Sequence, residues 1–155
     1  MDIIYPSVDE ILPGLFIGNF ATALDKNFIV KNKISLVVNC TPNVPNMFPG
    51  IVQYANVPIN DIETENESMY IALRCVLSKI RLYLVYGKNV LVHCMAGKSR
   101  SCSIVAGYLI RYYNYDVDSA IKTVISKRPK AFDYGRQVVF RKSLDRFYAL
   151  INYQN

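Results

Sequence analysis

Hydrophobic and polar positions switch between two spacings along this chain, and the switches divide it into elements. Short apolar-rich runs at Glu10–Leu12 and Leu15–Gly18 flank Pro13-Gly14, a tight-turn pair, and predict two strands joined by a turn. Ala21 to about Lys31 predicts a helix, and the β-branched run Ile34–Cys40 a buried strand. Thr41–Pro49 carries Pro42, Pro45 and Pro49, which lack backbone donors, and predicts a loop; Ile51–Ile59 predicts another strand. Met69, Leu73, Val76, Leu77, Ile80 and Leu84 recur at helical spacing, and Gly87 stands where such a helix would end. Asn89–His93 has the short apolar pattern of a central parallel strand. Beyond it, Ser99–Tyr113 reads as a helix, Asp118 as the N-cap of a helix to about Lys127, and Gln137–Ile151 as a last helix. Strands alternating with helices, then helices alone, predict an α/β fold with a mostly parallel central sheet of about five strands flanked by helices. Such sheets place ligands at the carboxyl ends of their strands.

Composition sharpens this picture. With 155 residues, 52% of them apolar and 19% charged, the chain predicts a single folded domain over residues 1–155 and excludes low-complexity or disordered sequence. Apolar stretches such as Ser103–Ile110 fall well short of the roughly 18 residues a membrane span needs. The opening Met1-Asp2-Ile3-Ile4-Tyr5-Pro6 lacks the basic and apolar regions of a cleaved signal, so the expected location is the cytosol or nucleus, with no membrane partner. Four cysteines without a CxxC pair, alongside the single histidine His93, predict neither a zinc site nor any other metal or cofactor. The net charge of +6 is unevenly spread: from Lys98 onward eleven basic residues face four aspartates, whereas seven basic and eight acidic residues precede it. A basic half of this kind draws anionic, phosphate-bearing ligands, although solvated helix faces are its common origin.

The stretch Val92-His93-Cys94-Met95-Ala96-Gly97-Lys98-Ser99-Arg100-Ser101 leaves a buried strand and enters a helix within a handful of residues. So tight a loop turns its backbone N–H groups inward, and with the helix dipole they form a cup for a phosphate dianion, lined by Met95, Ala96, Gly97, Lys98, Ser99 and Arg100. Gly97 supplies the backbone freedom, and Arg100 a planar, bidentate grip on two phosphoryl oxygens. The same donors favour the thiolate of Cys94, a nucleophile aimed at phosphorus. His93, ending a buried strand, is expected to fix the loop through backbone rather than carry protons.

The spacing His-Cys-x-x-Gly-x-x-Arg-Ser is similar to the signature of the cysteine-dependent protein phosphatases, and this version most resembles the small dual-specificity phosphatases. Ile11–Asn19, Ile34–Asn39, Val57–Asp61 and Ala106–Ile110 match the family in the same order, so the resemblance spans essentially the whole chain. It implies the cysteine-dependent phosphatase fold, a phosphocysteine intermediate, and phosphotyrosine, phosphoserine and phosphothreonine in proteins as substrates. Asp61, in a polar loop ahead of the nucleophile, resembles the family's general acid; the alternatives are that it caps the next helix or joins a solvated acidic run, with Glu63 the fallback acid. The resemblance also implies that Ser101 stabilises the departing sulfur, the alternative being an ordinary first-turn serine. Cys40 resembles a cysteine that some relatives use as a redox partner for the nucleophile, the alternative being a buried packing cysteine at a strand end. Cys75 and Cys102 are expected to be packing residues in helices.

Two features depart from relatives. There is no tryptophan, so the acid loop of the large tyrosine-specific enzymes is absent, and after Arg128-Pro129 the chain reads Lys130-Ala131-Phe132-Asp133-Tyr134-Gly135-Arg136 where relatives show Pro-Asn and Gly-Phe. Substrate contacts in that segment are therefore open. Rival readings are an RNA 5′-triphosphatase or phosphoinositide phosphatase on the same loop, and an adaptor that binds phosphoprotein without turnover. No nucleic-acid partner is expected outside the first of these; the Tyr112, Tyr113 and Tyr115 cluster is expected to cover a helix end, with an exposed patch there as the route to a weak homodimer rather than a monomer.

Overall fold

The computed structural model describes residues 4–153. Strand β1 (Val8–Leu12) turns through Pro13-Gly14 into β2 (Leu15–Gly18), and β3 (Ile34–Asn39), β4 (Gln53–Asn56) and β5 (Asn89–His93) complete a sheet of order β1-β2-β5-β3-β4. Only the β1/β2 pair is antiparallel, so the sheet is mostly parallel, as its sequence predicts. Side chains alternate in period two across the central strands. Leu36, Val38, Val90 and Val92 face the larger helical layer, whereas Val37 and Leu91 join Ile29, Ile34 and Val52 on the other side.

The larger layer holds α3 (Asn66–Val85), α4 (Arg100–Tyr113), α5 (Val117–Lys127) and α7 (Arg141–Tyr153). Helix α4 is buried without interruption from Ser101 to Ile110, which explains why this run holds only small or mainly apolar residues and no charge. Gly107 permits that burial, because a β-carbon there would collide with Leu73 of α3. Helix α4 ends on left-handed Asn114 (φ 58°).

Local chemistry redraws several predicted boundaries. The single helix expected over Ala21–Lys31 is two, α1 (Phe20–Ala23) and α2 (Lys26–Lys31), because the Asp25 carboxylate accepts from the N–H groups of Asn27 and Phe28 and starts a new helix inside the run. Strand β3 stops one residue before Cys40, where Asn39 turns its side chain onto Thr41 and Val44. Strand β4 occupies only Gln53–Asn56 of the expected Ile51–Ile59. The cap of α5 is Asp116, whose carboxylate accepts from Ser119 N–H at 2.7 Å, and not Asp118, which pairs with Arg141 at 2.7 Å. The last helix begins at Arg141 rather than Gln137.

Between α5 and α7 lies the single turn α6 (Ala131–Tyr134), and it winds the wrong way. Phe132, Asp133 and Tyr134 have φ of 55°, 52° and 59°, followed by Gly135 at 82°. Each non-glycine residue held there costs about 1 kcal/mol or more. The turn is held by the burial of Phe132 and by its N–H, which donates to Lys98 O at 2.6 Å.

Candidate active site

The loop Cys94–Ser99 joins the carboxyl end of β5 to the start of α4, where a parallel sheet offers its ligand site. Its geometry follows from its carbonyl oxygens. Cys94 O accepts from His93 Nδ1 at 3.3 Å, which places the ring proton on that nitrogen because a carbonyl cannot donate. Met95 O accepts from Phe20 N–H at 3.1 Å, Ala96 O from Arg128 Nη2 at 3.4 Å, Gly97 O from Arg128 Nε at 2.6 Å, and Lys98 O from Phe132 N–H at 2.6 Å. Every peptide among the described residues is trans, and in a trans peptide the following N–H points away from the carbonyl. Five outward carbonyls therefore turn the N–H groups of Met95, Ala96, Gly97, Lys98 and Ser99 to the opposite, concave side. Gly97 must be glycine: its φ is +68°, and a β-carbon would stand 2.6 Å from Arg128 Nη2 and 2.8 Å from Gly18 O.

Cys94 is buried in this cradle, and its Sγ accepts from Gly97 N–H at 3.2 Å and lies 3.2 Å from Ser101 Oγ. Arg100 opens α4 and donates from Nη1 to Ile59 O at 2.9 Å, tying the loop to the segment that leads to Asp61. Arg100 Nε and Ser99 Oγ are buried polar atoms with no partner among the described residues. Unpaired buried donors of this kind are rare and call for an acceptor from outside.

His93 is buried beneath the loop, and its pKa is pushed down to about 4, chiefly by desolvation, with the Arg100 charge acting in the same direction. The unfolded chain takes up a proton near pH 6.5 that the folded one refuses until about pH 4, so this contribution is full above pH 6.5 and is lost as pH falls towards 4. It is worth about 3 kcal/mol in total at 1.36 kcal/mol per pKa unit. Urea midpoints should fall more steeply from pH 7 to pH 4.5 for wild type than for His93→Asn; parallel profiles would refute the assignment.

Cys40 N–H donates to His93 O at 2.8 Å, which places Cys40 beside the strand end that carries Cys94. Burial, then the neighbouring Cys94, raises the Cys40 thiol well above its ordinary pKa, so it is held protonated. Cys102 is a packing residue as expected, with its thiol donating to Gly97 O at 3.5 Å. Cys75 is not: it is exposed on α3 in a groove with Pro58, Ile71 and Lys79, since it falls outside the buried stripe of Met69, Leu73, Val76, Leu77 and Ile80.

Asp61 follows the buried pair Val57 and Ile59 and is exposed. Its carboxylate caps no helix; the 3₁₀ turn Glu63–Glu65 starts from Ile62 without a side-chain cap. With Ile62, Glu63 and Gln137–Val139 it lines a cavity of about 510 Å³. Lys98 is half-buried, its Nζ 5.9 Å from the ring centre of Tyr134.

Arg128 is the residue that sequence reasoning missed. It is fully buried and spends its guanidinium on Gly97 O, Ala96 O, Ser7 Oγ at 3.2 Å and the Asp9 carboxylate at 2.8 Å, bracing the loop from behind. The one local signal was a cation directly before Pro129, where α5 stops.

Residues 15–147 match the dual specificity phosphatase catalytic domain. Over 140 residues the chain is 32% identical to human dual specificity protein phosphatase 22, covering 90% of this chain and 73% of that protein. It is 34% identical over 119 residues to the Xenopus laevis protein phosphatase Slingshot homolog, a match spanning 77% of this chain but only 17% of that much longer protein. The crystal structure of a mouse dual specificity phosphatase complexed with zinc tungstate superposes with a TM-score of 0.86 at 26% identity, covering 99% of this chain and 94% of that one.

Proposed function

The chain belongs to the dual-specificity phosphatase family, and from that premise we propose that it hydrolyses phosphotyrosine, phosphoserine and phosphothreonine in proteins through a phosphocysteine on Cys94. The observation that carries this reading is the cradle of five inward N–H groups around a buried sulfur, with Arg100 Nε lacking an acceptor. A phosphoryl group supplies that acceptor, and the amides meet its equatorial oxygens as charge moves onto them. In the first step the Cys94 sulfur forms a bond to phosphorus in line with the departing oxygen; the P–O bond breaks, and Asp61 gives its proton to the leaving alkoxide or phenolate. In the second, water attacks the phosphocysteine, Asp61 takes its proton, the S–P bond breaks and phosphate departs. Ser101 Oγ, 3.2 Å from the sulfur, donates to it as it leaves. Arg100 donates to Ile59 O, and Asp61 follows that contact two residues later, nearer to it than Glu63, which supports Asp61 as the acid.

The test is a panel of phosphotyrosine peptide, phosphothreonine peptide, triphosphate-ended RNA and a phosphoinositide. Peptide turnover should lead, and Asp61→Asn should slow kcat by about 10²–10³-fold and remove the basic limb of the kcat/KM profile, where loss of the acid's proton limits the first step. Faster release of the RNA γ-phosphate or of the phosphoinositide phosphate overturns the substrate assignment, and binding without turnover makes the protein an adaptor.

Cys40 completes the proposal as a resolving thiol. Peroxide oxidises Cys94 to the sulfenic acid, the Cys40 sulfur displaces its hydroxyl, and a disulfide and water result. Mass spectrometry of peroxide-treated protein should find the Cys40–Cys94 bond; over-oxidised Cys94 with Cys40 still free would end the idea.

A further inference from the structure

The left-handed turn α6 sits against the phosphoryl cradle and does more than close a gap. Phe132 is its buried anchor, pinned to Lys98 O, and the wrong-handed winding then lifts Tyr134 out of the core to 58% exposure two residues later. Two cations lie close to the raised ring: Lys98 Nζ is 5.9 Å from its centre and Arg136 Cζ 5.6 Å. Backbone strain persists where the surroundings impose it, and it gathers at sites that use it.

Basic charge outnumbers acidic charge on this rim. Burial lowers the Lys130 pKa first, and the nearby Arg128 and Lys98 charges lower it further while Asp9 opposes them. Of the nearby carboxylates, Asp9 is already taken by Arg128, and Asp133, within the turn, makes no ion pair among the described residues. The other acids near the cleft, Asp61 and Glu63, line the cavity shared with Gln137–Val139. An anionic group arriving with the substrate therefore meets the two cations that share the Tyr134 ring, Lys98 and Arg136, which suit a carboxylate carried on a flexible aliphatic stem.

We propose that Tyr134, Lys98 and Arg136 form a subsite beside the cradle that binds the side-chain carboxylate of an Asp or Glu flanking the phosphorylated residue of a peptide. This rests on the phosphatase reading of Cys94, so the test separates the two. Wild type, Tyr134→Ala, Tyr134→Phe and Arg136→Gln are compared on a phosphotyrosine peptide flanked by Glu, on its Gln counterpart, and on p-nitrophenyl phosphate, which has no flanking residue. Wild type should show a KM about fivefold lower for the Glu peptide at equal kcat, a preference that fades in high salt. Tyr134→Ala and Arg136→Gln should erase that preference, Tyr134→Phe should keep it, and turnover of p-nitrophenyl phosphate should stay unchanged in all three. Equal KM values in wild type, a preference that survives both variants, or p-nitrophenyl phosphate turnover falling in step with the peptides would each overturn the subsite. Wild type inert towards p-nitrophenyl phosphate overturns the phosphatase reading itself and the subsite with it.

Discussion

Replacing Cys94 with serine lowers turnover of a phosphotyrosine peptide by about 10⁴-fold or more, while tungstate and the peptide still bind. The two halves of that result have separate physical origins. Serine keeps the size and the contacts to Gly97 N–H and Ser101 Oγ, each 3.2 Å from the present sulfur, but its hydroxyl does not ionise near neutrality and makes a poor leaving group from phosphorus. The cradle is built from backbone N–H groups whose carbonyls are held from outside, so removing the sulfur leaves it standing. Isothermal titration with tungstate and steady-state kinetics on one preparation read both halves. Turnover within about tenfold of wild type would place the nucleophile elsewhere. Lost tungstate binding with intact stability would mean that the cradle depends on the sulfur.

Replacing Arg128 with methionine lowers unfolding stability by about 3 kcal/mol and kcat/KM by about 10²-fold, although no part of Arg128 belongs to the concave side of the loop. Methionine fills the volume and abandons the oxygens of Gly97 and Ala96, leaving Ala96 O without its donor and Gly97 O with only the weak Cys102 thiol. Asp9 is partly exposed and recovers some hydration once its partner is gone, which keeps the stability loss at the lower end for a broken buried pair. The loss of rate has its own cause: with two carbonyls released, the peptides 96–97 and 97–98 can rotate, and their N–H groups no longer converge. Arg128→Lys should recover little, because one ammonium cannot reach Gly97 O, Ala96 O, Ser7 and Asp9 as a planar fork does. Urea denaturation and tungstate affinity separate the two effects. A methionine variant with wild-type midpoint and rate would reduce Arg128 to filler.

The places where sequence and structure part are instructive. The α/β class and the parallel sheet were legible because β3 and β5 are buried on both faces and their runs are continuously apolar. The division of the first helix was not: both halves have a helical pattern, and only the way Asp25 turns its carboxylate onto two N–H groups makes a second start. Asp116 and Asp118 are equally good caps by type, and the fold chose between them by giving Asp118 to Arg141 of another helix. Cys75 was misjudged because a helix hides one stripe, and its position lies outside that stripe.

Within the site, residue order alone determined the reacting group, the arginine beside it, the glycine the loop needs and the histidine that ends the strand, because these lie within eight consecutive positions from His93 to Arg100 and local geometry binds them together. Tertiary structure alone decided which way the loop's peptides face. The donors that hold its carbonyls come from Phe20, His93, Arg128 and Phe132, and three of those four belong to segments far from the loop in the chain. A peptide plane is free to turn until both its polar ends find partners, and those partners exist only once the elements that carry them have packed together.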